Sequence, residues 1–446
     1  MRAIFRIALH NLLQARLRTA LLTLVLAGVT AILIVMGALS HGFSDTLRTN
    51  ATALQSGHVN VAGWYKSKPT DAWPLINDVD ELERIARENT PGLDYIVRRD
   101  RAWAKAISRD HSFFVSPSGI DIATEQRLKD ILQLAPESAY KDGGRPEPVG
   151  DFERLSEPHS VIVFASQAKR LGVAVGDYIT LTAPTGSGRT NSIDVTVIAV
   201  AKDMGIMSNW GMFVPSDAIH ELYESADDTS SVLMIYLDDP DEAEDVMGHL
   251  REVYAAAGFT VMDHQPAPFF FKFEEVAGED WTGQKLDLTV WNDEVTYIDF
   301  MSTALDSITA IVIIILMGII AIGIMNTMLM SVRRRTAEIG TVRAIGMTRS
   351  KVLAMFVTEA LLLGFFASLL GALLGALIAN GIDAAQIQPP PMVSMLLLSD
   401  TLHLSVDAAQ IIRAVIVFTL VTGLAAISPA IRAARLEPVT AIHHTS

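Results

Sequence analysis

The stretch from Ala183 to Thr190, Ala-Pro-Thr-Gly-Ser-Gly-Arg-Thr, looks at first like a phosphate-binding loop. Such a loop needs Gly where Ala183 stands and Lys where Arg189 stands. It must also open a helix, so that backbone N–H groups and the helix dipole meet the phosphate. Here a β-branched run, residues 193–200, follows, so the stretch reads as a hairpin turn. The eleven histidines are scattered, apart from His443-His444, and none falls in a metal-ligating spacing. A G-x-S-x-G nucleophile elbow is absent. The acidic pairs Asp227-Asp228, Asp238-Asp239 and Glu274-Glu275 read as solvated surface, and Phe269-Phe270-Phe271 reads as core. With no cysteine, the chain excludes disulfide scaffolds, Cys-ligated zinc, iron–sulfur clusters and thiol catalysis. The expectation is a non-catalytic chain that binds no metal, cofactor or ATP of its own.

The elements behind these residues are set by hydropathy. Half of the 446 residues are hydrophobic, yet the formal net charge is −15, which argues against nucleic acid as a partner. Four windows can cross a bilayer, since roughly 20 apolar residues span the hydrocarbon as a helix. They are residues 20–40, 307–332, 352–382 and 414–431, and only the third holds a charge, Glu359. The first is longer than a signal-peptide core and reads as a retained anchor. The fourth is short and ends near Pro429.

Between residues 42 and 301 there are 43 acidic and 22 basic residues. Elsewhere there are 7 acidic and 13 basic, and 12 of those 13 fall on one side if the helices alternate: Arg2, Arg6, Arg16, Arg18, Arg333, Arg334, Arg335, Arg343, Arg349, Lys351, Arg432 and Arg435. Only Arg413 lies opposite, where it can snorkel. The positive-inside rule then puts both termini and the Arg-rich loop in the cytoplasm and the acidic segment outside. The predicted fold is an α-helical membrane protein with four transmembrane helices and a large extracytoplasmic mixed α/β domain between helices 1 and 2. Its parts are a cytoplasmic amphipathic helix (1–19), helix 1 (20–41), the α/β domain in two subdomains (42–301), helix 2 (302–332), a cytoplasmic loop (333–351), helix 3 (352–380), an outer loop (381–407), helix 4 (408–431) and a cytoplasmic tail (432–446). In the outer domain, strands are expected at 160–164, 177–182, 193–200 and 231–237. Helices are expected at 78–88 and 241–257, the second started by Asp239 and Pro240.

The most informative stretch joins helices 2 and 3. Arg333, Arg334 and Arg335 satisfy topology. Glu338, Ile339, Gly340, Arg343, Ala344 and Gly346 go beyond that need and suit a compact helix offered to a soluble partner. In helix 3, Ala367, Gly371 and Gly375 recur every four residues, a small-xxx-small packing face. Glu359 must face protein or water there, and an arginine of the loop is its expected partner.

Asn326, Met328, Val332, Arg335, Glu338-Ile339-Gly340, Arg343-Ala344-Ile345-Gly346 match the N-x-M-x-x-x-V-x-x-R-x-x-E-I-G-x-x-R-A-[LI]-G loop of FtsX-like permeases of ABC transporters, which the chain resembles. Gly364, Pro429 with Ala430-Ile431-Arg432-Ala433-Ala434, Glu437-Pro438, Ala8, Asn11, Leu12 and Leu171-Gly172…Gly176-Asp177 add to the likeness. His41-Gly42-Phe43 and Ser56-Gly57-His58-Val59-Asn60-Val61 resemble the lipoprotein-releasing (LolC/LolE) group more than the macrolide-exporter (MacB) group, whose members carry a fused ATPase.

The resemblance implies a bacterial inner-membrane permease that pairs with a second permease, the same chain or a paralogue, and with two copies of an ABC ATPase subunit. ATP and Mg2+ act through that partner, with residues 333–347 as its coupling element. Force rather than a wide channel would move cargo. The first expectation is release of lipoproteins or lipids from the inner membrane, with a periplasmic carrier as a further partner. The alternatives are MacB-like export of peptides or small molecules and regulation of a cell-wall hydrolase.

Overall fold

The computed structural model describes residues 2–14, 16–186, 188–390, 393, 394, 399 and 401–436, apart from the side chains of residues 2–4, 13, 16, 18, 297–302 and 305. Ser187, Glu437-Pro438, His443-His444 and the side chains of Arg2, Arg16 and Arg18 thus lie outside the described residues. The chain divides into two units. One comprises residues 1–45, 301–387 and 402–446, and the other comprises residues 46–300 and 388–401.

Two helices come first, α1 (Arg2–Gln14) and α2 (Arg16–Leu54). Then follow β1 (Val59–Lys66), β2 (Ala72–Trp73), β3 (Ile76–Asn77), α3 (Val79–Asn89), β4 (Leu93–Arg101), β5 (Ala104–Ile107), β6 (Ser112–Ile120), α4 (Gln126–Ile131), β7 (Ser160–Phe164) and α5 (Ala165–Leu171). Next are β8 (Tyr178–Pro184), β9 (Thr190–Ala201), β10 (Gly211–Pro215), α6 (Ser216–Tyr223), β11 (Thr229–Ser230), β12 (Val232–Leu237), α7 (Ala243–Ala256), α8 (Phe273–Gly278) and β13 (Gly283–Val290). The chain ends with α9 (Trp291–Glu294), α10 (Thr296–Arg334), α11 (Thr336–Ala344), α12 (Arg349–Ala384) and α13 (Ala408–Ala434).

In the α/β unit, β6, β5, β8, β9, β7 and β10 pair in turn, and β10 pairs back onto β6 in parallel, closing a ring. Its inward residues alternate along each strand, as in Ile193, Val195 and Val197 of β9, and fill a core with Val115, Ile179 and Leu181. β8 and β9 form the hairpin expected between Ala183 and Thr190. The Leu171–Asp177 turn closes because Gly172 and Gly176 take positive φ (68° and 98°) and Asp177 accepts the Ala174 N–H at 2.7 Å. The sheet continues through β4, β12, β1 and β13. β12 is buried on both faces: Leu233 and Ile235 meet α3 and α7, while Met234 and Tyr236 lie with Trp64 and Phe269. Asp239 caps a short 3-10 turn, Pro240–Glu242, which leads into α7. The Phe269-Phe270-Phe271 triplet is core only at Phe269, which stacks on Trp64 at 4.5 Å. Its neighbours are 50% and 63% exposed, since a tight turn cannot point three successive side chains inward.

Among the described residues, four helices are long and apolar enough to cross a membrane: Thr19–Leu54, Asp306–Arg334, Arg349–Ala384 and Ala408–Ala434. The chain is a multi-pass membrane protein with its large mixed α/β domain between the first two of them. Helix α2 runs past the apolar window to Leu54 because Leu47, Ala51 and Leu54 keep a buried face at helical spacing. Helix α13 continues past Pro429 to Ala434, with Pro429 buried inside it. A proline forfeits one backbone hydrogen bond, and membrane helices tolerate that where neighbouring helices pack around it.

The small residues of α12 bring backbones together. Ala367 is fully buried. A Cβ on Gly371 would stand 2.7 Å from Ala27 Cα, and one on Gly375 would stand 2.7 Å from the Ala31 carbonyl oxygen, both on α2. We expect Gly371→Leu to cost about 1–3 kcal/mol through overpacking, seen as a lower midpoint of thermal unfolding in detergent. The same change at Gly381, where nothing lies within 4 Å, should leave the midpoint in place.

Candidate coupling site

Helix α10 ends at Arg334, and Arg335 turns the chain into α11. Gly346, at φ 109°, ends the segment in a conformation that side chains with a Cβ disfavour, and its N–H bonds to the Arg343 carbonyl at 3.0 Å. Arg335 holds the site together. Its Nε donates to Glu338 at 3.1 Å, and its Nη1 lies 3.5 Å from the carboxylate of Glu359 on α12. Glu359 is fully buried, so a cation within reach offsets the cost of a carboxylate inside an apolar helix.

The predicted coupling residues divide between two faces. Ile339 and Gly340 turn inward, Ile339 packing in one core with Val352 and Phe356. Arg333, Arg334, Glu338, Ala344 and Gly346 are exposed, and Arg343 is half-buried, donating to the Leu436 carbonyl. The large apolar side chains that α11 and its end present outward are Val342 (40% exposed) and Ile345 (83%), not Ile339. The reason is helical phase: Ile339 is one turn past Arg335, on the side facing α12. Ala367, Gly371 and Gly375 lie further along α12 and take no part in this site.

A second set of buried charges belongs to the α/β unit. Arg99 of β4 and Glu125 are both 2% exposed and form a two-pronged ion pair at 2.5 and 2.7 Å. The same guanidinium donates to the carbonyls of Ala53 (2.6 Å) and Leu54 (2.9 Å), the last residues of α2. Tyr236 donates its hydroxyl to Thr52 O at 2.8 Å. These groups satisfy carbonyls left open at a helix C-terminus and hold the end of α2. The Ser56–Val61 motif is the turn that follows. Gly57 lies so close to β12 that a Cβ would stand 2.7 Å from Ile235 N. His58 accepts the Leu237 N–H at 3.0 Å, and burial, then the cations of Arg127 and Arg48, bring its imidazole down to about 4. β1 pairs with β13 from Val59 opposite Val290, and Trp291 N–H bonds to His58 O at 3.1 Å. The start of α9 and the end of α2 are thereby joined. Next to them Glu294 accepts from Thr289 at 3.0 Å, and burial pushes its carboxyl up.

None of Arg99, Glu125, Tyr236 or Glu294 stands out in the sequence. The one signal is the charged run Arg98-Arg99-Asp100-Arg101 inside a strand, where the two middle charges, Arg99 and Asp100, are both buried.

The model of the MacB-like periplasmic core domain matches residues 19–253, and that of the FtsX-like permease C-terminal domain matches residues 310–438. The chain belongs to the FtsX/MacB-like family of ABC permeases. The pyoverdine export ATP-binding/permease protein PvdT of Pseudomonas savastanoi pv. phaseolicola is 38% identical over 143 residues, 32% of this chain and 19% of that protein. The macrolide export ATP-binding/permease protein MacB of Hahella chejuensis is 32% identical over 145 residues, 32% of this chain and 20% of its own. The match spans about a fifth of these relatives' length. Both are exporters by name, whereas the Ser56–Val61 motif had suggested the lipoprotein-releasing group. In the structure that motif is the turn from α2 into β1. Among solved structures, the periplasmic region of MacB from Actinobacillus actinomycetemcomitans covers 55% of this chain and 94% of its own, at 10% identity and a TM-score of 0.30.

For this permease, Arg99→Met should cost about 3–5 kcal/mol in denaturant unfolding followed by tryptophan fluorescence, because the buried Glu125 loses its ion-pair partner. Arg99→Met combined with Glu125→Leu should recover most of that loss.

Proposed function

We propose that the chain is the membrane subunit of a MacB-like exporter in the bacterial inner membrane, driven by ATP and Mg2+ bound to a partner ATPase and paired with a second permease subunit. The observation that carries this is the form of the 333–347 segment. It offers exposed apolar Val342 and Ile345 amid exposed arginines, while Arg335 links it to Glu359 inside α12. An exposed apolar residue at the end of a short helix is the kind of anchor a soluble partner buries. The positive-inside rule places that segment in the cytoplasm, where ATP is. The α/β domain then lies in the periplasm, joined to the spans by α2 and α10.

The naming of the relatives as exporters of pyoverdine and macrolides favours a small molecule or peptide as cargo. Purification of the native complex in mild detergent tests both halves. An ABC ATPase and a small-molecule or peptide cargo are expected. An acylated protein in place of that cargo would assign lipoprotein release, a cell-wall hydrolase would assign regulation, and no ATPase would end the permease reading. We expect Ile345→Asp to weaken ATPase binding more than about tenfold, as loss of an interface anchor does, while leaving membrane insertion and thermal stability unchanged. Equal ATPase recovery with this variant would remove α11 from the interface.

A further inference from the structure

Asn11 is 8% exposed, and its Nδ2 has no acceptor among the described residues. A buried donor left without a partner is costly and calls for an occupant. Asn11 sits on α1, which packs against α12, and it lines a cleft of about 210 Å³ that α11 closes from the other side. The walls are apolar, with Ile7, Val342, Met347 and Met355 among them, and Arg335 and Glu338 complete the lining. Besides Glu338, the exposed charges described on α1, on α11 and in the residues flanking α11 are basic: Arg6, Arg333, Arg334, Arg349 and Lys351. An apolar cleft with one unused donor, in basic surroundings, suits an apolar side chain whose neighbouring oxygen accepts a hydrogen bond, carried on an acidic surface.

We propose that α1 and α11 together form a socket for the ATPase subunit, with Asn11 donating to an oxygen of an apolar residue that inserts between the two helices. The proposal rests on the chain being an ATPase-coupled permease, and it adds α1 to the surface that the ATPase reads. Val342 lines the cleft while also being 40% exposed, so a segment seated there would touch it too. The binding of the ATPase would then fix the angle between α1 and α11, two elements separated by more than 300 residues of chain.

The test uses the full-length permease and its co-purifying ATPase in detergent. Asn11→Leu, which removes the donor and keeps the volume, should raise the dissociation constant about tenfold, the worth of a well-placed hydrogen bond. The absence of native cysteines makes a second readout clean. In Asn11→Cys the introduced thiol should be alkylated at least tenfold more slowly when the ATPase is bound, whereas a thiol from Asp110→Cys, in the α/β unit, should react at one rate throughout. Unchanged affinity with unchanged alkylation would overturn the socket while the permease reading stands. A rise in thermal stability for Asn11→Leu with native affinity would mean that water alone fills the cleft, and would overturn it too. If the native chain binds no ATPase, the socket and the permease reading fall together.

Discussion

The structure of the membrane unit depends on one constraint: a carboxylate inside an apolar helix must have a cation within reach. Glu359 has no exposure at all, and lipid offers it nothing. Arg335 meets it from the turn between α10 and α11, and that single contact fixes several others. It sets the rotation of α11, and so turns Ile339 toward Val352 and Phe356 while Val342 and Ile345 face away. It also ties the short helix to α12, whose small residues press against α2 through Gly371 and Gly375. A displacement at α11 therefore has a continuous packed path to α12 and from there to α2.

The α/β unit solves a related problem at the other end of α2. A helix that leaves the spanning region must end somewhere, and its last carbonyls need donors. Arg99 supplies two of them, and Glu125 keeps that guanidinium charged and oriented. The β1–β13 pairing then sets the end of α2 beside the start of α9. A buried ion pair is not a cheap source of stability, since both charges must be desolvated. Its value here lies in geometry, because the fork of Arg99 admits one arrangement of Ala53, Leu54 and Glu125.

Much of this was legible in the sequence, for physical reasons that differ from element to element. The spans showed themselves because lipid imposes about 20 apolar residues on any crossing helix. The β8–β9 hairpin was legible because Gly-rich turns between β-branched runs leave few other choices. Arg335 and Glu359 were singled out from charge placement and Glu338 from the motif of the loop, and the structure brings the three together. Other features depend on partners far away in the chain. The continuation of α2 to Leu54 rests on packing of Ala51 and Leu54, which a hydropathy window cannot sense. The closing β6–β10 pair joins strands nearly a hundred residues apart. The inward turn of Ile339 followed from Glu359, not from the composition of α11. The Ser56–Val61 motif was legible as a likeness but not as structure: it is the turn into β1, with Gly57 against β12 and His58 bonded to Leu237.

The most direct test of the account is a distance between spin labels on α11 and α12, at Ala337→Cys and Leu377→Cys, in the reconstituted complex with and without trapped nucleotide. Both positions are exposed, and the chain has no other thiol. If Arg335 and Glu359 lock the two helices into one body, the native distance stays the same in the two states, and adding Glu359→Leu lets it change. A native distance that shifts with nucleotide, or one that Glu359→Leu leaves fixed, would contradict the account.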